Sequence, residues 1–247
     1  MSRLVGVGVG PGDPDLVTVR AVQVLMNADV VLVPDTAGNG LRDGGLGRAE
    51  AIVRACAPGA SERIVRVPFT MGDRTGVTPR RAAAWAASAD ATVEAFRSGA
   101  SVVAFATIGD PSVYSTFSYL AASVQDRLPE VAVEVVPGIT AMQALAAASR
   151  TPLVEGDEIL ALVPLKDGVG RFREAAAMAD TVVVYKAGRH LAALRDELAT
   201  GRGARAVAGV DVGLPDERLG TLDELDAASY FTTVICPPDR GAIGGRL

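Results

Sequence analysis

Cysteine and histidine are almost absent from this sequence. Its 247 residues include two cysteines, Cys56 and Cys236, and one histidine, His190. The cysteines lie far apart and lack the paired spacing of a zinc site or a disulfide framework, so we expect no metal site and a reducing, cytoplasmic environment. A Ser-His-Asp or Cys-His catalytic arrangement would depend on His190 alone, and a surface or capping role suits that residue better.

An excess of positive charge and long apolar runs are missing as well. The 24 lysines and arginines are outnumbered by 29 acidic residues, for a net charge of −5, which argues against nucleic acid as a partner. No apolar run approaches the roughly 20 residues of a membrane span, and the first residues lack the pattern of a signal peptide. We therefore predict a cytoplasmic protein with no membrane partner.

What the sequence does contain is one tripeptide, Gly-Asp-Pro, twice, each time after a valine-rich segment typical of a buried strand. The copies span residues 12–14 and 109–111. In open α/β sheets small ligands bind at the carboxyl ends of the strands, so the two copies predict one composite site. A helix-capping role, worth about 1 kcal/mol, is the structural alternative for both aspartates, and it is stronger for Asp13 than for Asp110.

The glycines before the first copy do not fit a dinucleotide-binding fingerprint. That fingerprint needs G-x-G-x-x-G, but the sixth position is Pro11 when counted from Gly6 and Asp13 when counted from Gly8. A carboxylate in this loop would also repel a pyrophosphate. The segment therefore argues against a nicotinamide enzyme.

Two further segments place polar groups and small residues after predicted strands. The residues after Asp110 carry several hydroxyl groups, among them Tyr114, Ser115 and Thr116. Residues 137–141, Pro-Gly-Ile-Thr-Ala, follow the fifth predicted strand, and Thr140 suits a helix cap that leaves the backbone open to a ligand. The predicted site is therefore built from at least three loops at one sheet edge.

Strands and helices alternate along the chain and predict an α/β protein with two domains. Residues 1–151 are expected to form a mostly parallel sheet with helices on both faces, and residues 152–247 a mixed sheet, with an active-site cleft between the domains. In the first domain we predict strands at 4–9, 30–33, 64–67, 102–106 and 131–136, and helices at 14–27, 48–57, 114–127 and from 79 onward. In the second we predict strands at 159–163, 181–185, 205–210 and 230–235, helices at 171–178 and 191–200, and a hairpin-like segment at 217–221 with a short helix after it.

Taken together, the Gly-Val-Gly-Pro-Gly-Asp-Pro segment with Leu16 and Thr18, the second Gly-Asp-Pro and residues 137–141 resemble the tetrapyrrole methylase family. The resemblance covers essentially the whole chain. It implies an enzyme that uses S-adenosyl-L-methionine, releases S-adenosyl-L-homocysteine and acts on a small-molecule tetrapyrrole in corrin or sirohaem synthesis. It also implies a homodimer that binds its cofactor in the cleft between the domains.

The resemblance also implies roles for particular residues. The expected cofactor contacts are Pro11, Ile108, Gly109, Asp110, Val113, Thr140, Ala141, Lys186 and Val210. The chemistry of methyl transfer, and not the resemblance, adds the catalytic residues: the proton that the methyl group replaces must be accepted, and Asp110 and Tyr114 are the nearest candidates. The expected substrate contacts are Asp13, Ser115, Thr116, Arg42 and Arg74. Arginines suit the carboxylates of a tetrapyrrole, with Arg80 and Arg150 as further candidates, although compositional bias accounts for most arginines of this chain.

Within the family, residues 114–119, 152–158 and 230–234 are similar to segments of members that methylate the C20 carbon of precorrin-2 to give precorrin-3A. The glycine-rich stretch from Asp35 to Gly40 matches only loosely. Three alternatives stay open: a sister methylase that acts on another ring carbon or on the cobalt-containing substrate, a relative that methylates rRNA or diphthine precursors, and a non-catalytic sensor of adenosyl ligands. A basic rim would favour RNA, and a cleft too small for a macrocycle would favour the sensor.

Overall fold

The computed structural model describes residues 1–35, 45–68, 76–199, 205–225 and 229–241. The chain divides into two compact units, Met1–Thr140 and Ala141–Leu247. The boundary predicted from the sequence lies near residue 152. The helix between these two positions, Ala141–Ser149, packs against strands of the second unit, which is why the compact units separate before it.

The sheet of the first unit consists of five parallel strands, as predicted. Their bounds are β1 Arg3–Gly8, β2 Val30–Asp35, β3 Ile64–Pro68, β4 Val102–Thr107 and β5 Ala132–Val136, and they lie in the order β3-β2-β4-β1-β5. Strand β1 therefore pairs with β4 on one side and with β5 on the other. Because all five strands run the same way, the segments that follow β1, β4 and β5 meet at one edge of the sheet.

Helices cover both faces of this sheet, which confirms the predicted layering. They are α1 Val19–Asn27, α2 Arg48–Cys56, α3 Pro79–Arg97 and α4 Phe117–Gln125. Leu25 of α1 and Ile52 of α2 pack with Val5 and Val7 on one face. Phe117 of α4 packs with side chains of α3 and with Leu4 on the other face. Helix α3 begins at Pro79, as predicted, and Thr78 caps it through a hydrogen bond from the Arg81 amide to its hydroxyl, at 3.1 Å.

The predicted helix at residues 14–27 was wrong in its first third. Asp13 and Pro14 start only a short 3-10 turn, Pro14–Leu16. Thr18 then caps α1, because its hydroxyl accepts a hydrogen bond from the Ala21 amide at 3.1 Å. Two capping signals lie five positions apart, and the second one begins the helix.

Helix α4 also begins later than the predicted start at residue 114. Tyr114 has a left-handed backbone, with φ of 52°, which a helix cannot contain. The Phe117 amide donates to the Ser115 hydroxyl at 3.2 Å, so a turn precedes the helix. The hydroxyl-rich segment therefore lies in the loop after β4.

Gly6 leaves space on β1 for the ring of Phe117. A Cβ atom at Gly6 would lie 2.6 Å from two ring carbons of Phe117. We expect Gly6→Ala to lower the free energy of unfolding by about 1–3 kcal/mol, the usual effect of overpacking a core. Urea denaturation checks this, and the double variant with Phe117→Leu should recover part of the loss. An unchanged free energy of unfolding would contradict it.

The second unit contains a mixed sheet, again as predicted. Its elements are α5 Ala141–Ser149, β6 Leu160–Pro164, α6 Gly170–Ala176, β7 Thr181–Tyr185, α7 Leu191–Leu198, β8 Val207–Val210, β9 Arg218–Gly220 and β10 Thr232–Cys236. The strand order is β6-β7-β10-β8-β9. Strands β6 and β7 are parallel, whereas β10 is antiparallel to both of its neighbours. The hairpin-like segment predicted at 217–221 contains a single strand, β9, which pairs antiparallel with β8, and turns occupy residues 222–224, where a short helix was expected.

Candidate functional site

Three loops of the first unit are in direct backbone contact at the carboxyl edge of its sheet. The Gly109 amide donates a hydrogen bond to the Gly10 carbonyl at 2.7 Å, and both glycines have positive φ, 75° and 70°. A Cβ atom at Gly8 would lie 2.6 Å from the Gly109 carbonyl oxygen and 2.6 Å from the Gly138 nitrogen. The segments after β1, β4 and β5 thus form one cluster, which the strand pattern alone predicted.

Asp110 connects two of these three loops through its side chain. Its Oδ1 accepts hydrogen bonds from the Ser112 amide, at 2.7 Å, and from the Ser112 hydroxyl. Its Oδ2 accepts one from the Gly138 amide at 2.9 Å. Only 8% of the residue is exposed. Burial raises the pKa of the carboxyl, but the hydrogen bonds from Ser112 and Gly138 outweigh burial, so the pKa of Asp110 lies below its usual value.

Asp13, in the first Gly-Asp-Pro copy, has a different environment. Its Oδ1 accepts a hydrogen bond from the Asp15 amide at 2.9 Å and caps the short 3-10 turn. The structural alternative from the sequence is therefore observed for Asp13. The two copies share a sequence and an edge of the sheet, but only the second one joins two loops through its carboxylate.

The predicted cofactor contacts of the first unit lie in or beside this cluster. Pro11 and Thr140 are buried, and Ile108 and Val113 are half-buried. A Cβ atom at Gly109 would meet the Cα of Thr140 at 3.9 Å and nothing nearer. Gly109 is thus buried in ordinary van der Waals contact with the Thr140 backbone, whereas the contact at Gly8 has no room for any side-chain atom. The backbones of the loops after β4 and β5 therefore lie directly against each other.

The hydroxyl groups after Asp110 are divided between the interior and the surface. Ser115 donates a hydrogen bond to the Thr107 hydroxyl at 3.2 Å, which fixes the loop to the end of β4. Tyr114 is 45% exposed, and its left-handed backbone is a costly conformation for a residue with a large side chain. Such strained residues cluster at functional sites. The catalytic role of Tyr114 and the substrate contacts of Ser115 and Thr116 stay predictions.

The second unit has its own group of strained residues at one edge of its sheet. Lys186 directly follows β7 and Asp211 directly follows β8, and both have left-handed backbones, with φ of 61° and 54°. The Lys186 ammonium lies 5.5 Å from the ring centroid of Tyr230, within the range of a cation–π interaction. The Ser229 hydroxyl donates to the Asp211 carboxylate at 2.8 Å.

A hydrogen bond from this edge also holds the first turn of α5. The Tyr185 hydroxyl accepts a hydrogen bond from the Met142 amide at 3.0 Å, next to the predicted contact Ala141. Val210 is only 1% exposed and belongs to the core of the second unit, so any contact it makes with a ligand would use its backbone. Asp211 and Tyr230 lie at this edge but were not among the residues predicted individually from the sequence.

The structure describes only some of the arginines that were predicted to bind substrate. Arg42 and Arg74 lie outside the described residues. Arg80 is exposed in the first turn of α3, and Arg150 follows the end of α5 with a φ of 55°. Among the described residues no group of three or more histidine, cysteine, aspartate or glutamate side chains could hold a metal ion. In the same part of the chain, every helix is too short or too polar to cross a bilayer.

The lowered pKa of Asp110 predicts how the stability of the protein responds to acid. Because the native state binds a proton more weakly than the unfolded chain, the carboxylate stabilises the fold fully above the unfolded-state pKa of about 3.9, and this contribution is lost as pH falls through the lower native pKa. We therefore expect Asp110→Asn to lose more unfolding free energy near neutral pH than at about pH 3. Denaturant titrations at both pH values measure this difference. An equal loss at both would contradict the prediction.

Comparisons with known proteins agree on one family. The family described as Tetrapyrrole (Corrin/Porphyrin) Methylases matches residues 3–226. A Precorrin-2 C(20)-methyltransferase from Sinorhizobium sp is 34% identical over 244 residues, which cover 96% of each chain. A Cobalt-precorrin-2 C(20)-methyltransferase from Salmonella typhimurium is 30% identical over 242 residues, which cover 94% of this chain and 95% of that one.

Solved structures share the fold over nearly the whole chain. A uroporphyrin-III C-methyl transferase from Thermus thermophilus, complexed with S-adenyl homocysteine, superposes with a TM-score of 0.64 at 25% identity. The match covers 95% of this chain and 97% of that one. The two sheets described above are therefore those of an established enzyme fold.

Proposed function

This chain belongs to the tetrapyrrole (corrin/porphyrin) methylase family, and from that premise we propose that it transfers the methyl group of S-adenosylmethionine to the C20 carbon of precorrin-2. The product would be precorrin-3A, an intermediate of cobalamin biosynthesis. The observation that carries the proposal is the match to the Sinorhizobium C20-methyltransferase over nearly the full length of both chains.

The choice of ring carbon is supported by agreement between relatives. The Sinorhizobium and Salmonella relatives are both named for C20, although one is named for precorrin-2 and the other for its cobalt complex. We propose the metal-free substrate because the relative named for it is the more similar of these two. Residues 114–119, which resemble a segment of C20-methylases, comprise the end of the loop after β4 and the first turn of α4.

The described residues fit an adenosyl cofactor. The three loops of the first unit bring Gly10, Gly109 and Gly138 together at the carboxyl edge of the sheet, and none of these loops contains a lysine or arginine that would repel a sulfonium. The Thermus relative complexed with S-adenyl homocysteine supports the same ligand class. The proposed contacts in the first unit are Pro11, Ile108, Gly109, Asp110, Val113 and Thr140, and those in the second are Ala141, Lys186 and Val210.

Methyl transfer from this cofactor does not require a strong acid or base. When bound, S-adenosylmethionine supplies a methyl group that is already activated by a positive sulfur, and a reduced tetrapyrrole offers an electron-rich meso carbon. The task of the protein is then to hold donor and acceptor in line at near-attack distance, an effect that can lower the barrier by roughly 7–11 kcal/mol. A cluster of loops joined by backbone contacts suits this task, because its atoms cannot drift apart independently.

The proton of the meso carbon must leave after the methyl group is transferred. Tyr114 lies four residues after Asp110 and is 45% exposed, and we retain it as the proposed acceptor, with its own hydroxyl proton passing to solvent. The proposed substrate contacts are Asp13, Ser115, Thr116, Arg42 and Arg74. We also propose a cytoplasmic homodimer on the family resemblance, which size-exclusion chromatography with light scattering tests.

Methyl transfer from labelled S-adenosylmethionine tests the proposed function. We expect the label to enter precorrin-2, with one S-adenosylhomocysteine formed for each methyl group, and to enter the cobalt complex more slowly. Label that enters only the cobalt complex would overturn the proposal that metal-free precorrin-2 is the substrate. Label in neither substrate would overturn the proposed function.

A further inference from the structure

We propose that Asp110 is a positioning residue, which ties the loop after β4 to the loop after β5 and so presets the backbone that contacts the cofactor. It does not act as the base that removes the substrate proton, the role for which the sequence made it a candidate. This inference rests on the proposed function and concerns the same site.

The geometry of the carboxylate carries the proposal. Both oxygens of Asp110 accept hydrogen bonds, from the amide and hydroxyl of Ser112 and from the amide of Gly138. A base must present an oxygen to the proton it removes. Here donors of the protein take three of the roughly four acceptor positions of the carboxylate, and only 8% of the residue is exposed to meet a substrate. A nearly buried carboxylate held by three donors is instead a strong, directional connection between two segments.

The hydrogen bond between Asp110 and Gly138 lies where the three loops are in closest contact. Gly138, one of the donors to Asp110, lies against Gly8 and Gly109 with no space for a side chain. Gly109 is the residue before Asp110, and a Cβ atom there would be in van der Waals contact with the Cα of Thr140, at 3.9 Å. Asp110 therefore fixes the backbones of Gly109 and Thr140, two of the proposed cofactor contacts, relative to each other.

The other Gly-Asp-Pro copy supports the distinction. The Asp13 carboxylate accepts from an amide two residues away, within its own turn. Asp110 accepts from an amide 28 residues away. The aspartate of the first copy therefore caps its own turn, whereas the aspartate of the second copy connects two loops.

Asp110→Asn tests the proposal, because an amide side chain keeps the shape but can accept at only one of the two ends. We expect the dissociation constant of S-adenosylhomocysteine, measured by calorimetry, to rise about tenfold, as for the loss of a hydrogen bond to a charged group. At saturating S-adenosylmethionine, we expect kcat to change by less than about threefold, with the acid limb of its pH profile unmoved. Ser112→Ala, which removes only the hydroxyl donor, should shift binding in the same direction by less.

Asp29→Asn is the matched control. Asp29 also accepts from two backbone amides, those of Ser101 and Val102, both at 2.8 Å, and hydrogen bonds from these amides likewise lower its pKa. It lies at the opposite, amino end of β4. This variant should lose stability while binding S-adenosylhomocysteine as tightly as the parent protein.

The outcomes separate the two claims. Wild-type protein that fails to bind S-adenosylhomocysteine would overturn the proposed function, and the positioning role with it. If Asp110→Asn and Ser112→Ala both bind S-adenosylhomocysteine as tightly as the wild-type protein, the positioning role alone would be overturned. Unchanged binding with a collapsed kcat and a lost acid limb would identify Asp110 as the base. If Asp110→Asn does not fold, weaker binding by folded Ser112→Ala supports the proposal and unchanged binding opposes it.

Discussion

A Gly138→Ala variant is expected to lose about a hundredfold in methyl transfer, the scale of loss that follows a displacement of about 1 Å at a site of chemistry. An added Cβ would lie 2.2 Å from the Gly109 carbonyl oxygen and 2.9 Å from two backbone atoms of Gly8. These neighbours are backbone and cannot rotate away as a side chain would. The loops after β4 and β5 must therefore separate, and the walls of the proposed cofactor site separate with them.

Gly170→Ala is the control for this prediction. Gly170 begins α6, and a Cβ atom there meets nothing within 4 Å. Steady-state kinetics and calorimetric binding of S-adenosylhomocysteine should show Gly170→Ala close to the parent protein and Gly138→Ala impaired in both. Parental activity in Gly138→Ala would show that close contact of the three loops is not needed for function.

Arg240→Ala is expected to lower the unfolding free energy by about 3–5 kcal/mol, because it leaves a buried carboxylate without its cation. Glu158 has a side chain that is 1% exposed, and the Arg240 guanidinium contacts both of its oxygens, at 2.9 and 2.6 Å. Arg240 is itself only 16% exposed. It connects the segment after β10 to the segment between α5 and β6, so the whole second unit should lose stability.

Arg171→Ala provides the comparison for an ion pair at the surface. Arg171 and Glu174 lie 3.5 Å apart with side chains that are 79% and 67% exposed, and such pairs contribute at most about 1 kcal/mol. Urea denaturation of both variants measures the difference. A loss in Arg240→Ala no larger than that in Arg171→Ala would contradict the assignment of a structural role to the buried pair.

Much of the fold follows from local sequence. Valine-rich segments that end in glycine or proline predicted the strands of the first sheet, and their common direction predicted which loops would meet. The late start of α1 could also have been predicted, because Thr18, like Asp13, is a residue type preferred at the N-cap of a helix. Only the contacts of the folded chain show that Asp13 caps a short turn instead.

The remaining features depend on contacts between distant segments. The sequence excluded a dinucleotide-binding fingerprint at Gly6 and Gly8 but gave no other reason for these glycines. In the structure, Gly6 makes space for the Phe117 ring and Gly8 for the backbone of Gly109 and Gly138. The pair of Glu158 and Arg240 joins residues 82 positions apart. The left-handed backbone of Asp211 is likewise fixed by its surroundings and not by its own sequence preference.

The position of the new methyl group is the most direct test of the account. Purified protein, precorrin-2 and S-adenosylmethionine with an isotope-labelled methyl group should give a product whose label is bonded to C20, as assigned by NMR. A label bonded to any other ring carbon would contradict the proposed function while leaving the family and the cofactor in place.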